Sequence, residues 1–140
     1  MLTYLEGIHV DEYNRLRDEV GWGALPKQQA QAGLDHSSYV VSCEEQGKVV
    51  GTARVLWDGE YIAYLADVML SPDYQRKGIG KQLVQMVIDY LHTHVNKEWD
   101  IMFVLVAAKG KEGFYKKLGF EERPNENLGA GMSQWIRAVK

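Results

Sequence analysis

The feature of the sequence that most constrains the fold is a glycine-rich turn that leads directly into an amphipathic helix. From Gly78 onward, apolar residues recur with helical spacing at positions 79, 83, 84, 87, 90 and 91, which predicts a helix that runs to about Val95. A strand-forming run over 61–70 precedes the turn and ends at Ser71-Pro72-Asp73. Because this helix has one apolar stripe to bury, we expect it to pack against a sheet.

The remaining pattern predicts a mixed sheet covered by helices, in the α/β (α+β) class. The predicted strands cover 2–5, 38–43, 48–56, 61–70, 101–106 and 132–138, and the predicted helices cover 10–20, 26–33, 79–95 and 111–118. The run over 101–106 is almost continuously apolar, which is typical of a strand buried at the centre of a sheet.

Length and composition indicate one globular domain. The chain has 140 residues with no internal repeat and no Pro- or Ser-rich linker, so we expect a single domain over 1–140. Hydrophobic residues make up 46% and charged residues 25%, which excludes a disordered chain. The net charge of -3 gives no overall attraction to nucleic acid or to an anionic membrane, and no apolar stretch approaches the roughly 20 residues of a membrane span. We therefore expect neither nucleic acid nor membrane as a partner.

Cysteine and histidine usage predicts a cytoplasmic protein without a metal site. The single cysteine, Cys43, cannot form an intramolecular disulfide, and the N-terminus lacks a signal-peptide pattern. The Cys, His and carboxylate residues show no metal-ligand spacing. His92 and His94 are two residues apart on a predicted helix and so point to different faces, which argues against shared ligation of a metal.

The segment Gln75-Arg76-Lys77-Gly78-Ile79-Gly80 has the chemistry of an anion site. At the start of a helix several backbone N–H groups lack helical partners and the macrodipole is positive, which favours bound phosphate. Two glycines would let an anion approach the backbone closely. Positive charge comes from three basic residues, Arg76, Lys77 and Lys81. A tight, solvated connection between strand and helix explains the same pattern without a ligand.

Two common nucleotide motifs do not fit this segment. A P-loop requires Gly-Lys-Ser/Thr, whereas here Gly80 is followed by Lys81-Gln82, so a magnesium ion would lack its hydroxyl ligand. The dinucleotide fingerprint requires a small residue three positions after Gly80, where this chain has Leu83. Any phosphate bound here therefore belongs to another class of ligand.

Two motifs follow one another along the second half of the chain. The first is Gln75-x-x-Gly78-x-Gly80, after a strand that ends Val68-Met69-Leu70-Ser71-Pro72, and the second is Phe114-Tyr115-Lys116-Lys117-Leu118-Gly119-Phe120. In this order they resemble the two cofactor-side motifs of the Gcn5-related N-acetyltransferase (GNAT) superfamily. The resemblance implies a mixed, mostly antiparallel sheet of six to seven strands flanked by about four helices, with the fourth and fifth strands splayed apart.

The resemblance also implies acetyl-CoA as co-substrate and no metal. In that family the pantetheine arm lies between the splayed strands and pairs with backbone groups like an added strand. The implied cofactor contacts are Val68, Met69 and Leu70 for the arm and acetyl group, Gln75, Arg76, Lys77, Gly78, Ile79, Gly80 and Lys81 for the pyrophosphate, and Phe114 and Tyr115 near the sulfur. Many family members have an Asn after the fifth strand, where this chain has Ala107-Ala108-Lys109, so that contact is missing here.

The implied reaction is direct attack of an acceptor amine on the thioester, without a covalent enzyme intermediate. Tyr115 matches the family tyrosine that protonates the leaving thiolate, and packing of its ring in the core is the alternative. Candidate general bases are Asp67, Tyr64 and Glu60, or a chain of water molecules. Strand parity places 64, 66 and 68 on one face and 65, 67 and 69 on the other unless a bulge intervenes. A buried ion pair with Arg54 is the structural alternative for Asp67.

The resemblance places the acceptor against the N-terminal helices and the last hairpin. The candidate substrate contacts are Arg17, Trp22 and Arg54. Trp22 stands on a Gly-flanked turn and is either a mobile aromatic wall or a core residue. We expect an N-acetyltransferase acting on a primary amine of a small molecule. The alternatives are protein or peptide N-acetylation and a non-catalytic acyl-CoA-binding or scaffold module. A homodimer is left open, since family members are commonly dimers.

Overall fold

The computed structural model describes residues 1–139, which form five strands and four helices joined by short connections. The strands are β1 (Leu2–Glu6), β2 (Tyr39–Glu45), β3 (Lys48–Trp57), β4 (Ile62–Leu70) and β5 (Met102–Val104), and the helices are α1 (Val10–Glu19), α2 (Lys27–Asp35), α3 (Ile79–His94) and α4 (Glu112–Lys116). The predicted class, the four helices and the order of elements up to the last helix are confirmed. None of the helices within these residues is long and apolar enough to cross a bilayer.

Two compact units divide the chain, Met1–Leu105 and Val106–Lys140. The first contains all five strands and the helices α1 to α3, and the second contains α4. A single domain over 1–140 stays a prediction.

One five-stranded sheet with the order β1-β2-β3-β4-β5 forms the centre of the first unit. Its first four strands are antiparallel to their neighbours, and β5 runs parallel to β4. The pairing of β4 with β5 is confined to three residue pairs, from Ile62 with Met102 to Tyr64 with Val104. The predicted divergence of the fourth and fifth strands is therefore present, because β4 continues to Leu70 without β5 beside it.

The sheet departs from the sequence prediction in its number of strands. The run over 101–106 was expected at the centre of the sheet, yet β5 pairs only with β4 and is partly exposed. The expected strand over 132–138 is not regular structure, and its apolar side chains are exposed by 94% at Met132 and 91% at Ile136. Both errors have one cause. An apolar, β-branched composition favours a strand, but a strand forms only where a neighbouring strand can hydrogen-bond to it.

Helices cover both faces of the sheet. α1 and α2 bury one cluster with residues of β3 and β4: Val10, Tyr13, Leu16, Ala30, Leu34, Val49 and Met69. α3 buries its predicted apolar stripe, Ile79, Leu83, Val84, Val87 and Leu91, against the other face. Gly51 of β3 makes close packing of α3 possible, because a Cβ there would lie 2.5 Å from Leu70 and 3.2 Å from Leu83.

A β-bulge interrupts β4 at Asp67. Thr52 pairs with Met69 and Arg54 pairs with Ala66, so one residue of β3 faces two residues of β4. Asp67 adopts a left-handed backbone with φ 53°, a conformation that Asp tolerates better than most residues. The bulge that the sequence left open is therefore present, and residues 67 and 69 share a face as the strand parity predicts. Asp67 and Met69 both face α1, and Leu70 faces α3.

Candidate functional site

The loop between β4 and α3 has a backbone shaped by two left-handed residues. A 3-10 turn over Pro72–Tyr74 follows β4, and Arg76 (φ 63°) and Gly78 (φ 83°) then turn the chain into the helix. Gly78 is the N-cap of α3, and its carbonyl accepts the first helical hydrogen bond, from the Gln82 amide at 3.1 Å. A Cβ at Gly78 would meet nothing within 4 Å, so the space in front of this turn is open.

The backbone amides of this loop are unpaired. Within residues 1–139, the N–H groups of residues 76–81 donate to no backbone or side-chain acceptor. Their six donors, together with the dipole of a 16-residue helix, form a concave patch of positive potential. Such a patch can bind a phosphate or diphosphate without further rearrangement.

Basic side chains surround these amides. Lys77 places its Nζ 5.3 Å from the centre of the Tyr74 ring, and the Tyr74 hydroxyl donates to Glu45 at 2.6 Å. That hydrogen bond lowers the pKa of Glu45. Arg76 and Lys81 are exposed, and neither has a carboxylate partner in the described part of the chain. Their charge is therefore available to an anionic ligand.

The second half of β4 borders this loop and presents an unpaired edge. Residues 65–70 pair with β3 on one side and with no described strand on the other. An extended ligand can add there by main-chain hydrogen bonds. The side chain of Met69 is only 1% exposed within the α1–α2 cluster, so this residue can offer its main chain but not its side chain.

The carboxylate of Asp67 belongs to a network of ion pairs and hydrogen bonds within the protein. Its Oδ2 accepts from Arg54 Nε and from the Tyr13 hydroxyl, both at 2.6 Å. Arg54 also donates to Ser37 Oγ at 3.1 Å and to the Gly33 carbonyl at 3.3 Å. The side chains of Arg54 and Asp67 are 17% and 15% exposed. The structural interpretation of Asp67, an ion pair with Arg54, is thus confirmed, and Arg54 has few donors left for a substrate.

Tyr13 belongs to this site although the sequence analysis did not select it. Burial first, and then the hydrogen bond to Asp67, raise the pKa of its hydroxyl, which keeps that proton in place as a donor. Helical spacing predicted that Tyr13 faces the core. Its partner lies 54 residues away along the chain, so only tertiary packing could identify the contact.

Arg17 and Trp22 stand next to this network. The Arg17 guanidinium lies 6.0 Å from the Tyr13 ring centre and 5.7 Å from that of Trp22, and its Nε donates to the Gly23 carbonyl at 2.8 Å. Its terminal Nη1 is 3.8 Å from Asp67 Oδ1, beyond hydrogen-bonding distance. Trp22 is 44% exposed, so it is an aromatic surface and not a core residue.

A separate cavity of about 460 Å³ lies at the other end of β4. Its lining consists of His36, Ser38, Leu56, Trp57, Asp58, Ile62, Tyr64 and Val104. Tyr64, a candidate base, therefore faces this cavity, while Glu60 is exposed in the preceding turn. Asp58 is structural, because its Oδ1 accepts the amides of residues 60, 61 and 62, which lowers its pKa.

The second predicted motif lies in the unit from Val106 onward. Phe114 and Tyr115 are partly buried on α4, and the Tyr115 ring makes edge-to-face contacts with Phe114 and Phe120 at 4.9 and 5.9 Å. Gly119 (φ 96°) ends the helix as expected. These contacts describe how the ring packs, and the role of Tyr115 as general acid stays a prediction. No group of His, Cys, Asp and Glu that could hold a metal occurs among the residues described.

The sequence is similar to a family of acetyltransferases and to individual proteins within it. The Acetyltransferase (GNAT) family model matches residues 3–120. An uncharacterized N-acetyltransferase of Pyropia yezoensis, ycf52, is 32% identical over 129 residues, which are 89% of this chain and 71% of that protein. The protein named histone acetyltransferase TAP1 of Glycine max is 30% identical over 136 residues, which are 88% of this chain and 57% of that protein.

A solved structure shows the same fold. The crystal structure of a probable acetyltransferase from meticillin-resistant Staphylococcus aureus matches with a TM-score of 0.85 and 22% identity, over 97% of this chain and 100% of that one. At this identity the likeness concerns the fold alone. The family model, in contrast, spans both cofactor-side motifs and most of the sequence. The chain belongs to the GNAT family of acetyltransferases.

Proposed function

We propose that this protein transfers an acetyl group from acetyl-CoA to a primary amine of a small molecule. The observation that supports this best is the row of unpaired amides at residues 76–81, beside the unpaired edge of β4. One feature fits a diphosphate and the other fits an extended amide-containing arm, and coenzyme A combines both groups. Membership of the GNAT family supports acetyl-CoA as the donor.

The residues present fit this co-substrate. The amides of 76–81 and the side chains of Arg76, Lys77 and Lys81 would hold the diphosphate, and the open space at Gly78 leaves room for it. The main chain at Val68 and Leu70 would pair with the arm. When bound, acetyl-CoA supplies the activated thioester carbonyl that the acceptor amine attacks.

The chain's own residues would position the amine and manage protons. Tyr115 is the proposed acid for the departing thiolate. Asp67 is poorly suited as a base, because Arg54 and Tyr13 already donate to one of its carboxylate oxygens. Its better-supported role is to hold the bulge of β4 against α1. Tyr64 and Glu60, or ordered water, are the remaining candidates for the base.

There are two alternatives to this proposal, one with a different acceptor and one without a catalysed reaction. A protein acceptor is the first, and the name of the Glycine max relative supports it. The small-molecule proposal rests on the cluster of Arg17 and Trp22 and on the 460 Å³ cavity, each of which is of a size to hold a small ligand. The second alternative is a module that binds acyl-CoA without chemistry.

Substitution of Gly78 tests the coenzyme A site. Gly78→Asp places a carboxylate where the diphosphate would lie, so we expect the affinity for coenzyme A to fall by about 100-fold or more. Gly47→Asp is the matched control, because Gly47 has a similar φ of 79°, equally open surroundings and a place in the β2–β3 turn. Calorimetric titration measures both variants. Unchanged affinity in Gly78→Asp, or a thermal shift of the wild type with ATP or NAD but not with coenzyme A, would contradict the proposal.

Tyr115→Phe separates an enzyme from a binding module. If Tyr115 is the acid, thiol release with a range of amines falls by about 10- to 1,000-fold while coenzyme A affinity changes little. Tyr61→Phe is the control, because Tyr61 is 60% exposed and its hydroxyl makes no hydrogen bond among the residues described. Equal rates for Tyr115→Phe and wild type would remove this role, and a wild type that binds coenzyme A but acetylates no amine would favour the module.

A further inference from the structure

The side chain of Arg17 is largely buried, yet its terminal nitrogens have only weak partners within the protein. It is 15% exposed, its Nε donates to the Gly23 carbonyl at 2.8 Å, and its guanidinium also interacts with the Tyr13 hydroxyl. Within residues 1–139, no carboxylate or carbonyl oxygen lies within hydrogen-bonding distance of its terminal nitrogens. By contrast, Arg15, two residues earlier on α1, is bonded to Glu12, Glu19 and the Val49 carbonyl.

The charge around Arg17 is not balanced. Two guanidinium groups, of Arg17 and Arg54, face the one carboxylate of Asp67. Asp67 is already matched, since its Oδ2 accepts from Arg54 and from Tyr13 at 2.6 Å. Asp18, the next residue along α1, accepts the Ala24 amide at 2.8 Å. One carboxylate thus balances two positive charges, and Arg17 is the more distant of its two cations, at 3.8 Å. An anion is bound more strongly by a cation that is largely shielded from water than by one at the surface.

The surroundings hold Arg17 in place before any ligand arrives. The turn after α1 is tied back to the helix, with Leu25 bonded to Asn14 in both directions at 3.0 Å. Gly21 (φ 87°) and Gly23 (φ 80°) allow this tight return of the chain. The guanidinium thus lies close to two aromatic rings, those of Tyr13 and Trp22. A planar edge with fixed donors suits the paired oxygens of a carboxylate or phosphate.

We propose that Arg17 binds an anionic group of the acceptor, so that the acceptor is an amine that also has a carboxylate or a phosphate. This inference rests on the proposed function, because Asp67, the neighbour of Arg17, directly precedes Val68, the residue proposed to border the acetyl group. An acceptor anchored at Arg17 would thus present its amine beside the bulge of β4. Trp22, whose ring centre lies 5.7 Å from the same guanidinium and which is 44% exposed, would cover the carbon skeleton.

Matched pairs of amines test this inference. Phenylalanine is compared with phenethylamine, and O-phosphoethanolamine with ethanolamine, by calorimetric titration of protein saturated with coenzyme A and by initial rates with acetyl-CoA. We expect at least one anionic member to bind and react about 10- to 100-fold better than its partner, the size of a charge-assisted hydrogen bond. The two pairs also tell a carboxylate site from a phosphate site.

Three variants assign the preference to Arg17. Arg17→Met should reduce the advantage of the anionic amine below about threefold, mainly through KM, and Arg17→Lys should retain part of it. Lys27→Met removes the same charge from an exposed position, 3.3 Å from Asp11, and should keep the full advantage. Each variant's melting temperature and coenzyme A affinity report separately on folding and on the donor site.

The results that would contradict the role of Arg17 can be told apart from those that would contradict the proposed function. Equal binding and equal rates within both pairs, or an advantage that survives Arg17→Met, would overturn the inference while the coenzyme A site stands. An equal loss for both members in Arg17→Met would assign Arg17 a structural role, as an anchor of the 21–25 turn, and also overturn it. Loss of coenzyme A binding by the wild type would instead remove the proposed function.

Discussion

Asp67 and the loop at 76–81 lie less than a dozen residues apart along the chain, and they differ in whether their polar groups are paired within the protein. At Asp67 the carboxylate, two guanidinium groups and a phenol are packed together and largely hidden from water. In the loop, six amide donors and the side chains of Arg76 and Lys81 have no partner in the described structure. The Asp67 carboxylate has its partners within the protein, whereas the amides of the loop have none in the described part of the chain.

This difference in pairing distinguishes polar groups that stabilise the fold from polar groups that can bind a ligand. A buried carboxylate that is paired within the protein contributes to folding, and its removal leaves cations without a counter-charge. Unpaired amides that are exposed to solvent cost the fold little, and they become valuable when an anion displaces their water. We therefore expect substitutions at Asp67 to change stability and substitutions in the loop to change binding. Three predictions on stability follow, two for the Asp67 network and one for Glu19, from the largest expected effect to the smallest.

Asp67→Asn should give the largest loss of stability. Asn tolerates the left-handed backbone of this position, so the change removes the charge and leaves the bulge in place. We expect the free energy of unfolding in urea to fall by about 3 kcal/mol, because Arg54 and Arg17 are left without their anion. Asp11→Asn, at an exposed ion pair with Lys27, should cost less than about 1 kcal/mol. Equal effects of the two variants would show that the Asp67 network is no different from a surface pair.

Tyr13→Phe should have an intermediate effect. It removes the hydroxyl that donates to Asp67 at 2.6 Å and keeps the buried ring, so the expected loss is about 1–2 kcal/mol. Combined with Asp67→Asn, the two losses should not add, since both break the same hydrogen bond. A double variant whose loss equals the sum of the single losses would contradict the coupling. Urea denaturation of the four proteins in the cycle measures it.

The smallest effect concerns acid stability at the start of the loop. Glu19 accepts from the Ser71 hydroxyl at 2.5 Å and from Arg15 at 2.6 Å, and these hydrogen bonds lower its pKa below the ordinary 4.5. A lowered pKa in the folded state stabilises the protein above that ordinary value, and this contribution is lost as pH falls through the lowered pKa. Glu19→Gln should therefore lower the melting temperature at neutral pH and flatten its decline in acid.

The exposed Glu98 is the control for this measurement. Its side chain makes no ion pair among the residues that the structure describes, so Glu98→Gln should leave the pH dependence of the melting temperature unchanged. If Glu19→Gln instead lowers the melting temperature by the same amount at every pH, the Glu19 carboxylate contributes no pH-dependent stability.

Local patterns were sufficient for most elements of the fold. The spacing of Ile79, Leu83 and Val87 predicts α3 nearly to its ends, and the Gly47 and Gly59 turns separate β2, β3 and β4 where expected. The loop was also predictable, because glycines and basic residues before a helix have the same chemistry in any fold. These features depend on neighbours along the chain, so a linear pattern contains the information.

Long-range contacts were not predictable in the same way. The sequence left open whether a bulge interrupts β4, and Tyr13, the partner of Asp67, lies 54 residues away along the chain. The apolar runs at 101–106 and 132–138 were read as full strands, yet a strand depends on a partner that composition does not specify. Sequence could name Arg17, Trp22 and Arg54 as candidates. Only the packed structure shows that Arg54 is bonded to Asp67 at 2.6 Å while Arg17 lies 3.8 Å from it.

The sequence by itself thus determined the order of elements, the membership of a family through its two motifs, and a loop able to bind an anion. Tertiary structure alone decided which charges are satisfied within the protein and which are left for a ligand. The physical reason is that periodicity and turn chemistry act over a few residues, whereas hydrogen-bond partners across a sheet are set by register, and one extra residue in β4 is enough to change them.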